Sequence, residues 1–321
     1  MSDRSPTRRN VLRGIGASLT AAIGTTALPG SALAAGGWES VEAPTGNTLH
    51  DVEYTDAGAY AVGGGGIVLE RAAEGWRKVL DGGPTGNGNN LYGADVTDDG
   101  RALWFVGSSG AIGEYDVSTG VVTDHSAPND VTNNFNDVAV TGAAGEANVY
   151  VAGDSGKLYY SFENGASQTW DYVTPGSGSA INAVDFCDER SGHIVDGNKS
   201  VFRTKDGSTW NKTGLADANV NFYGVDSDGF DDVRVSGGGG GMVFRWDGSE
   251  WTPTDTGDAG LRDIEVTDAD GAGLTVGGGG AVYELADGWT QRQTPTGANL
   301  QAVVRGATDV AVGAGGTVLE R

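Results

Sequence analysis

The chain has 321 residues, with 43 Asp and Glu against 20 Lys and Arg and a net charge of −23. A surface with that acid excess repels nucleic acid and anionic membrane, and neither is expected as a partner. The one cysteine, Cys187, excludes an internal disulfide and a thiolate metal cluster; in the apolar run Ala183-Val184-Asp185-Phe186-Cys187 it reads as a small buried hydrophobe.

Residues 1–34 read as an address. Thr7-Arg8-Arg9-Asn10-Val11-Leu12-Arg13 is a twin-arginine pattern, Gly14 to Leu28 is weakly apolar, and Ala32-Leu33-Ala34 is a small-x-small cleavage site. The apolar stretch is too short and too polar to span a bilayer. Export through the twin-arginine (Tat) pathway is therefore expected, with the mature chain extracellular or at the cell surface. No cysteine follows the cleavage site and no apolar tail follows the last repeat, so neither a lipid anchor nor membrane insertion is expected. Beyond residue 34 there are 42 acids and 16 bases. Their mutual repulsion is tolerable where molar salt shortens the Debye length to about 3 Å. That composition points to a halophile, a haloarchaeon.

Residues 35–321 are a repeat array. A first segment recurs at Leu49, Leu91, Phe135, Ile181, Phe222, Leu261 and Leu300, at spacings of 42, 44, 46, 41, 39 and 39 residues. A second follows as Val62-Gly63, Val106-Gly107, Ala152-Gly153, Val195-Asp196, Ser236-Gly237, Val276-Gly277 and Val312-Gly313. A third begins at Val68, Ile112, Leu158, Val201, Val243, Val282 and Val318. A fourth opens on Trp76, Val121, Trp170, Trp210, Trp251 and Trp289. Each is short, β-branched or aromatic and bounded by Gly, Asn or Asp, so each is a strand. Four strands per repeat of about 40 residues predict an all-β fold, a seven-bladed β-propeller with four-stranded blades. The seventh repeat stops after its third strand, and Trp38-Glu39-Ser40-Val41 is a fourth strand lacking its three predecessors. The N-terminal strand is expected to close the last blade. The Gly runs 63–66, 237–241, 277–280 and 313–316 are read as hairpins between second and third strands, since no Gly-Lys-Ser/Thr or helix follows any of them.

Within the repeats, Thr204-Lys205-Asp206-Gly207-Ser208-Thr209-Trp210 resembles an abbreviated Asp-box of the BNR type. The recurring Val-Gly-x-x-Gly-x-Val with a later Asp-Gly-x-Trp, as in Trp246-Asp247-Gly248-Ser249-Glu250-Trp251 and Asp287-Gly288-Trp289, is similar to propellers related to the photosystem II assembly and stability factor. The resemblance spans roughly residues 36–321 and is one of repeat grammar. It implies an exported, cofactor-free propeller that helps assemble or holds other proteins.

BNR propellers include sialidases, so a secreted glycan hydrolase is the alternative. That chemistry needs three converging Arg at the ring's centre, and only Arg262 stands early in a first strand; Arg203, Arg245 and Arg321 end third strands. No catalytic residue is assigned. Asp98-Asp99-Gly100, Asp226-Ser227-Asp228-Gly229 and Asp268-Ala269-Asp270-Gly271 read as turns between first and second strands, without the closing Glu of an EF-hand. His50, His125 and His193 fall in different repeats, so no zinc site is assigned. The residue after each first-strand anchor is His50, Tyr92, Asn136, Asn182, Tyr223, Arg262 or Gln301. All seven are polar or polar-tipped beside apolar anchors. They are expected at the mouth of the central channel, on the face that also carries Pro44 to Asn47, Pro84 to Asn87 and Pro295 to Asn299. The chain is expected to be a monomer, not an enzyme, binding a protein or glycan partner at the cell envelope through that ring.

Overall fold

The computed structural model describes residues 37–176, 178–215, 218–267 and 271–321. The twin-arginine segment and the turn at 268–270 lie outside the described residues. Seven antiparallel sheets of four strands each form a seven-bladed propeller. In the first blade the strands run Leu49–Thr55, Gly58–Gly63, Ile67–Ala72 and Gly75–Leu80 from the axis outward. The inner strands of the other blades are Leu91–Val96, Phe135–Thr141, Ile181–Phe186, Phe222–Gly229, Leu261–Val266 and Leu300–Val304.

Apolar residues on both faces of these strands have a direct cause: each sheet is covered on both sides by its neighbours. Seven apolar clusters result, one between each pair of adjacent blades. Leu49, Leu91, Phe135, Phe222, Leu261 and Leu300 are fully buried and Ile181 is nearly so, which makes the anchor of every inner strand a core residue.

The ring closes as the repeat phase predicts. Glu39–Val41 pairs antiparallel with Val318–Glu320, in the register Glu39↔Glu320, Ser40↔Leu319 and Val41↔Val318. Trp38, one residue before the strand, is buried in the cluster between the sixth and seventh blades. The Gly hairpins also form as expected. Gly65 and Gly66 at φ +77° and +74°, and Gly315 and Gly316 at +68° and +73°, occupy backbone that disfavours side chains.

One turn departs from its sequence reading. Asp226-Ser227-Asp228-Gly229 is not a turn but the end of the fifth inner strand, which reverses only beyond Gly229. Its acids are held inside the fold: Asp226 accepts a hydrogen bond from Val266 N–H in the next blade (2.9 Å), and Asp228 pairs with buried Arg234 at 2.8 Å. With these acids bonded outside the turn, the chain reverses at Phe230-Asp231 instead. The Asp98–Asp99 turn forms, but it reaches into the third blade, where Gly142 N–H donates to Asp98 at 2.8 Å. The Asp-box turns are self-contained: Asp206 accepts from Ser208 and Thr209 N–H (2.9 and 2.6 Å), and Asp247 accepts from Ser249 and Glu250 N–H (2.9 and 3.0 Å). Cys187, read from the sequence as buried, is half-buried, with its thiol donating to Ser191 O at 3.2 Å and its pKa pushed up to about 12 by burial.

His193, on the second strand of the fourth blade, is fully buried with Nδ1 2.7 Å from Ser227 Oγ. Burial lowers its pKa from 6.5 to about 4, opposed by smaller effects of Asp185 and Asp231 and reinforced by the nearby Arg203 charge. A depressed folded-state pKa gives stability that is complete above pH 6.5 and is lost as pH falls toward 4. The loss is about 3 kcal/mol for a shift of this size. His193→Gln, which keeps a partner for Ser227, is expected to lose less between pH 7.5 and 4.5 in urea unfolding than the parent chain. Equal losses in the two proteins would refute this assignment.

Candidate binding site at the channel mouth

In all seven blades the pairing of the inner strand slips by one residue just after its anchor. The shifts fall between Leu49 and Asp51, Leu91 and Gly93, Phe135 and Asp137, Ile181 and Ala183, Phe222 and Gly224, Leu261 and Asp263, and Leu300 and Ala302. The residue skipped each time is His50, Tyr92, Asn136, Asn182, Tyr223, Arg262 or Gln301. A β-bulge leaves its extra residue unpaired and re-aims the side chain. Seven bulges at one level of the ring therefore turn seven side chains toward the axis.

All seven line one cavity of about 170 Å³ at the centre of the ring. His50 and Tyr92 meet edge to face at 5.1 Å between ring centres, and burial lowers the His50 pKa. The Arg262 guanidinium lies 4.7 Å from the Tyr223 ring centre, a cation–π contact. Asn136 and Asn182 also bridge blades: their Nδ2 groups donate to Ile181 O (3.0 Å) and Phe222 O (2.6 Å), the anchor carbonyls of the following blades. The 44–47 loop lies on the same face, with Asn47 Nδ2 donating to Gly64 O at 2.8 Å.

Below the mouth, inner-strand acids line the cavity, and sequence reasoning did not single them out. Asp51 accepts from Val52 N–H (2.8 Å) in its own strand and Ala94 N–H (2.7 Å) in the next blade. Asp137 accepts from Val138 and Val184 N–H, and Asp263 from Ile264 and Val303 N–H. Two residues deeper along their strands, Asp95 accepts from Val96 and Val140 N–H and Asp185 from Phe186 and Ser227 N–H. Asp226 and Glu265 reach Val266 and Arg305 N–H of their next blades. Every interface from blade one to blade seven thus carries at least one carboxylate latch.

At the seam between blades seven and one, these positions hold Ala302 and Val304. The join is made further out: Glu320 takes Arg71 Nε at 2.6 Å and Trp76 Nε1 at 2.8 Å, while the Tyr54 hydroxyl donates to Thr308 O at 2.6 Å. The signal for the latches was present as an acid two or four residues beyond the anchor. It was indistinguishable from the general acid excess.

Burial, then repulsion from Glu53, Asp137 and Asp263, raises the Asp51 pKa well above the usual carboxylate range. Asp137 is raised chiefly by burial. In Asp51, Asp95, Asp137, Asp185 and Asp263 each carboxylate oxygen accepts one backbone N–H, which fixes the side chains as ties between strands and blades. Arg262 is the one Arg lining the cavity among the described residues, while Arg203, Arg245 and Arg321 pair with Asp231, Asp232 and Glu284 in the outer strands. The triple-Arg arrangement of sialidase-like chemistry is not assembled.

No protein-family model matches the sequence, and no curated protein matches it. Solved structures do. Virginiamycin B lyase from Staphylococcus aureus superposes with a TM-score of 0.74 at 11% identity, covering 88% of this chain and 97% of that one. YCF48 from Cyanidioschyzon merolae gives 0.67 at 17% identity, over 88% and 98% of the two chains. YCF48 bound to D1 peptide gives 0.69 at 15% identity, over 90% and 98%. At these identities the likeness is one of fold: a lyase and a peptide-binding protein share the ring.

Proposed function

We propose that this propeller is a binding module that captures a protein partner at the mouth of its central channel, acting at the cell envelope after twin-arginine export. One observation carries the reading. Seven blades each place a polar or polar-tipped side chain of differing type on a bulge at the same level, and all seven line a single cavity. A ring needs polar rims, but solvation alone does not require a Tyr, His or Arg at four of the seven positions, and such residues often anchor interfaces. The occurrence of the same fold in YCF48 bound to D1 peptide supports a peptide-bearing partner. The arginine pair Arg8-Arg9, the cleavage site ending at Ala34 and the acid excess support export into a high-salt exterior.

Replacing Tyr92 and His50 together by Ala is expected to reduce partner capture at least tenfold in pull-downs from the native envelope. The blades should stay folded, because both side chains are only half-buried and neither contributes to the inter-blade clusters. Undiminished capture by a folded double variant would refute the mouth as the working face.

A further inference from the structure

On the mouth face, the tips of three second-to-third-strand hairpins turn a backbone N–H toward the next blade. In each, the residue preceding the next anchor caps it. Asn90 Oδ1 accepts from Gly65 N–H (2.9 Å), Asn134 Oδ1 from Ser109 N–H (3.2 Å) and Asn299 Oδ1 from Gly279 N–H (2.9 Å). The other four blades lack that cap: the residue before the next anchor is Ala180, Thr48 or Gly260 for the third, seventh and fifth, and in the fourth Asp196 takes the N–H instead. The residue before the anchor Leu261 is Gly260, and a Cβ built there would lie 3.3 Å from Gly239 N, so the equivalent cap has lost its carboxamide. Among the described residues the Gly239 N–H meets no acceptor.

That donor opens into a groove of about 440 Å³ lined by Lys199, Asn219, Asn221, Tyr223, Gly239 and Arg262, among others. Lys199 stands in the fourth blade's hairpin at φ +61°, where the other blades place Gly66, Gly110, Gly156, Gly241, Gly280 and Gly316. Left-handed backbone is strained for a lysine and free for a glycine. Its side chain is exposed and makes no ion pair or hydrogen bond among the described residues. Arg262 is exposed too, stacked on Tyr223 with no carboxylate partner among the described residues. The fourth blade's own hairpin N–H, that of Asn198, is taken by Asp196 at 2.9 Å, so the Asn221 carboxamide is not needed there. In a chain with 43 acids, two unpaired cations, an uncapped N–H and a free carboxamide share one groove.

We infer that this groove binds an oxyanion, a carboxylate or sulfate group. One oxygen sits on Gly239 N–H where an asparagine oxygen sits in the sister blades, with the charge held between the Lys199 ammonium and the Arg262 guanidinium. The inference deepens the binding reading above, because Tyr223 and Arg262 belong to both the mouth and the groove. It makes an acidic group of the partner the feature recognised.

The test uses the 35–321 chain and two probes, sodium sulfate and sodium acetate, at ionic strength held constant with chloride. The readouts are the ¹⁵N–¹H shifts of the Gly239 amide and Arg262 Nε. Saturable shifts are expected with at least one probe. Saturation by acetate alone identifies a carboxylate, and saturation by sulfate alone a sulfate ester. Lys199→Gly, which also relieves the backbone, and Arg262→Gln should each weaken binding at least threefold.

Gly260→Asn should remove the Gly239 response, because the restored carboxamide fills the oxygen's place. Thermal midpoints check that each variant is folded. Linear, unsaturated shifts with both probes, or a Gly260→Asn protein that binds like the parent, would overturn the assignment. Capture lost in the Tyr92 and His50 double variant while anion binding persists would leave the mouth reading and the groove separately judged.

Discussion

Deleting residues 36–43 is expected to destabilise the ring by several kcal/mol. The segment contributes Trp38, only 5% exposed against Leu274, Val276, Leu300 and Leu319, and a three-residue ladder onto Val318–Glu320. Losing a buried Trp costs about 3–5 kcal/mol by itself, and the ladder's hydrogen bonds add to that. The Arg321 guanidinium, 5.4 Å from the Trp38 ring centre, loses that face as well. Val41 and Ala43 also pack on the cluster between blades seven and one, at the seam that carries no inner carboxylate. Deletion therefore removes packing on both sides of the last blade. The newly bared edge of Val318–Glu320 should promote association between copies. Urea midpoints and sedimentation of the deleted chain check both effects, and a midpoint near that of the parent would refute the three-plus-one closure.

Asp185→Ala is expected to cost about 2–5 kcal/mol, because it strips acceptors from two buried backbone donors. Phe186 N–H (2.9 Å) and Ser227 N–H (2.7 Å) both end on its carboxylate, and the second joins blade four to blade five. Asp51→Ala removes a similar pair of bonds, to Val52 and Ala94 N–H. It should nevertheless cost less at neutral pH, because its loss relieves repulsion with Glu53, Asp137 and Asp263. The sign with pH follows. A carboxyl whose folded pKa is raised stabilises the fold below its unfolded value, and that contribution is lost as pH rises through the folded one. Acidification from pH 7 toward 4 should thus narrow the advantage of Asp51→Ala, since in the parent chain protonation at Asp51 already removes the repulsion. Chemical unfolding of both variants at pH 7 and pH 4.5 measures the difference. Equal costs at pH 7 would show that the buried acids do not repel one another through the channel.

Both acids lie in plain view in the repeats, and neither was singled out from them. Asp51 and Asp185 look like ordinary polar residues alternating with the apolar ones of an inner strand. Their acceptance of hydrogen bonds from Ala94 and Ser227, 43 and 42 residues further on, exists only once the blades stand side by side. The same blindness applied to Asp226 and Asp228. They sit in an Asp-Gly stretch with the composition of a turn, yet they lie in a strand because Val266 N–H and Arg234 are there to receive them.

The strands, their number, the blade count and the closing strand are legible in the sequence, since short apolar runs and the glycines that bound them are local properties repeated seven times. The sequence also marked His50, Tyr92, Asn136, Asn182, Tyr223, Arg262 and Gln301 as odd polar neighbours of apolar anchors. Only the tertiary structure decided what that oddity is. Each of the seven sits on a bulge that a one-residue slip in pairing creates, and a slip belongs to two strands rather than to one. The carboxylate latches, the separately tied seam at Glu320 and the uncapped Gly239 N–H are likewise relations between neighbouring blades. In a propeller every residue has a counterpart in six other repeats, and which of them departs from the pattern becomes visible only when the partner across the interface is known.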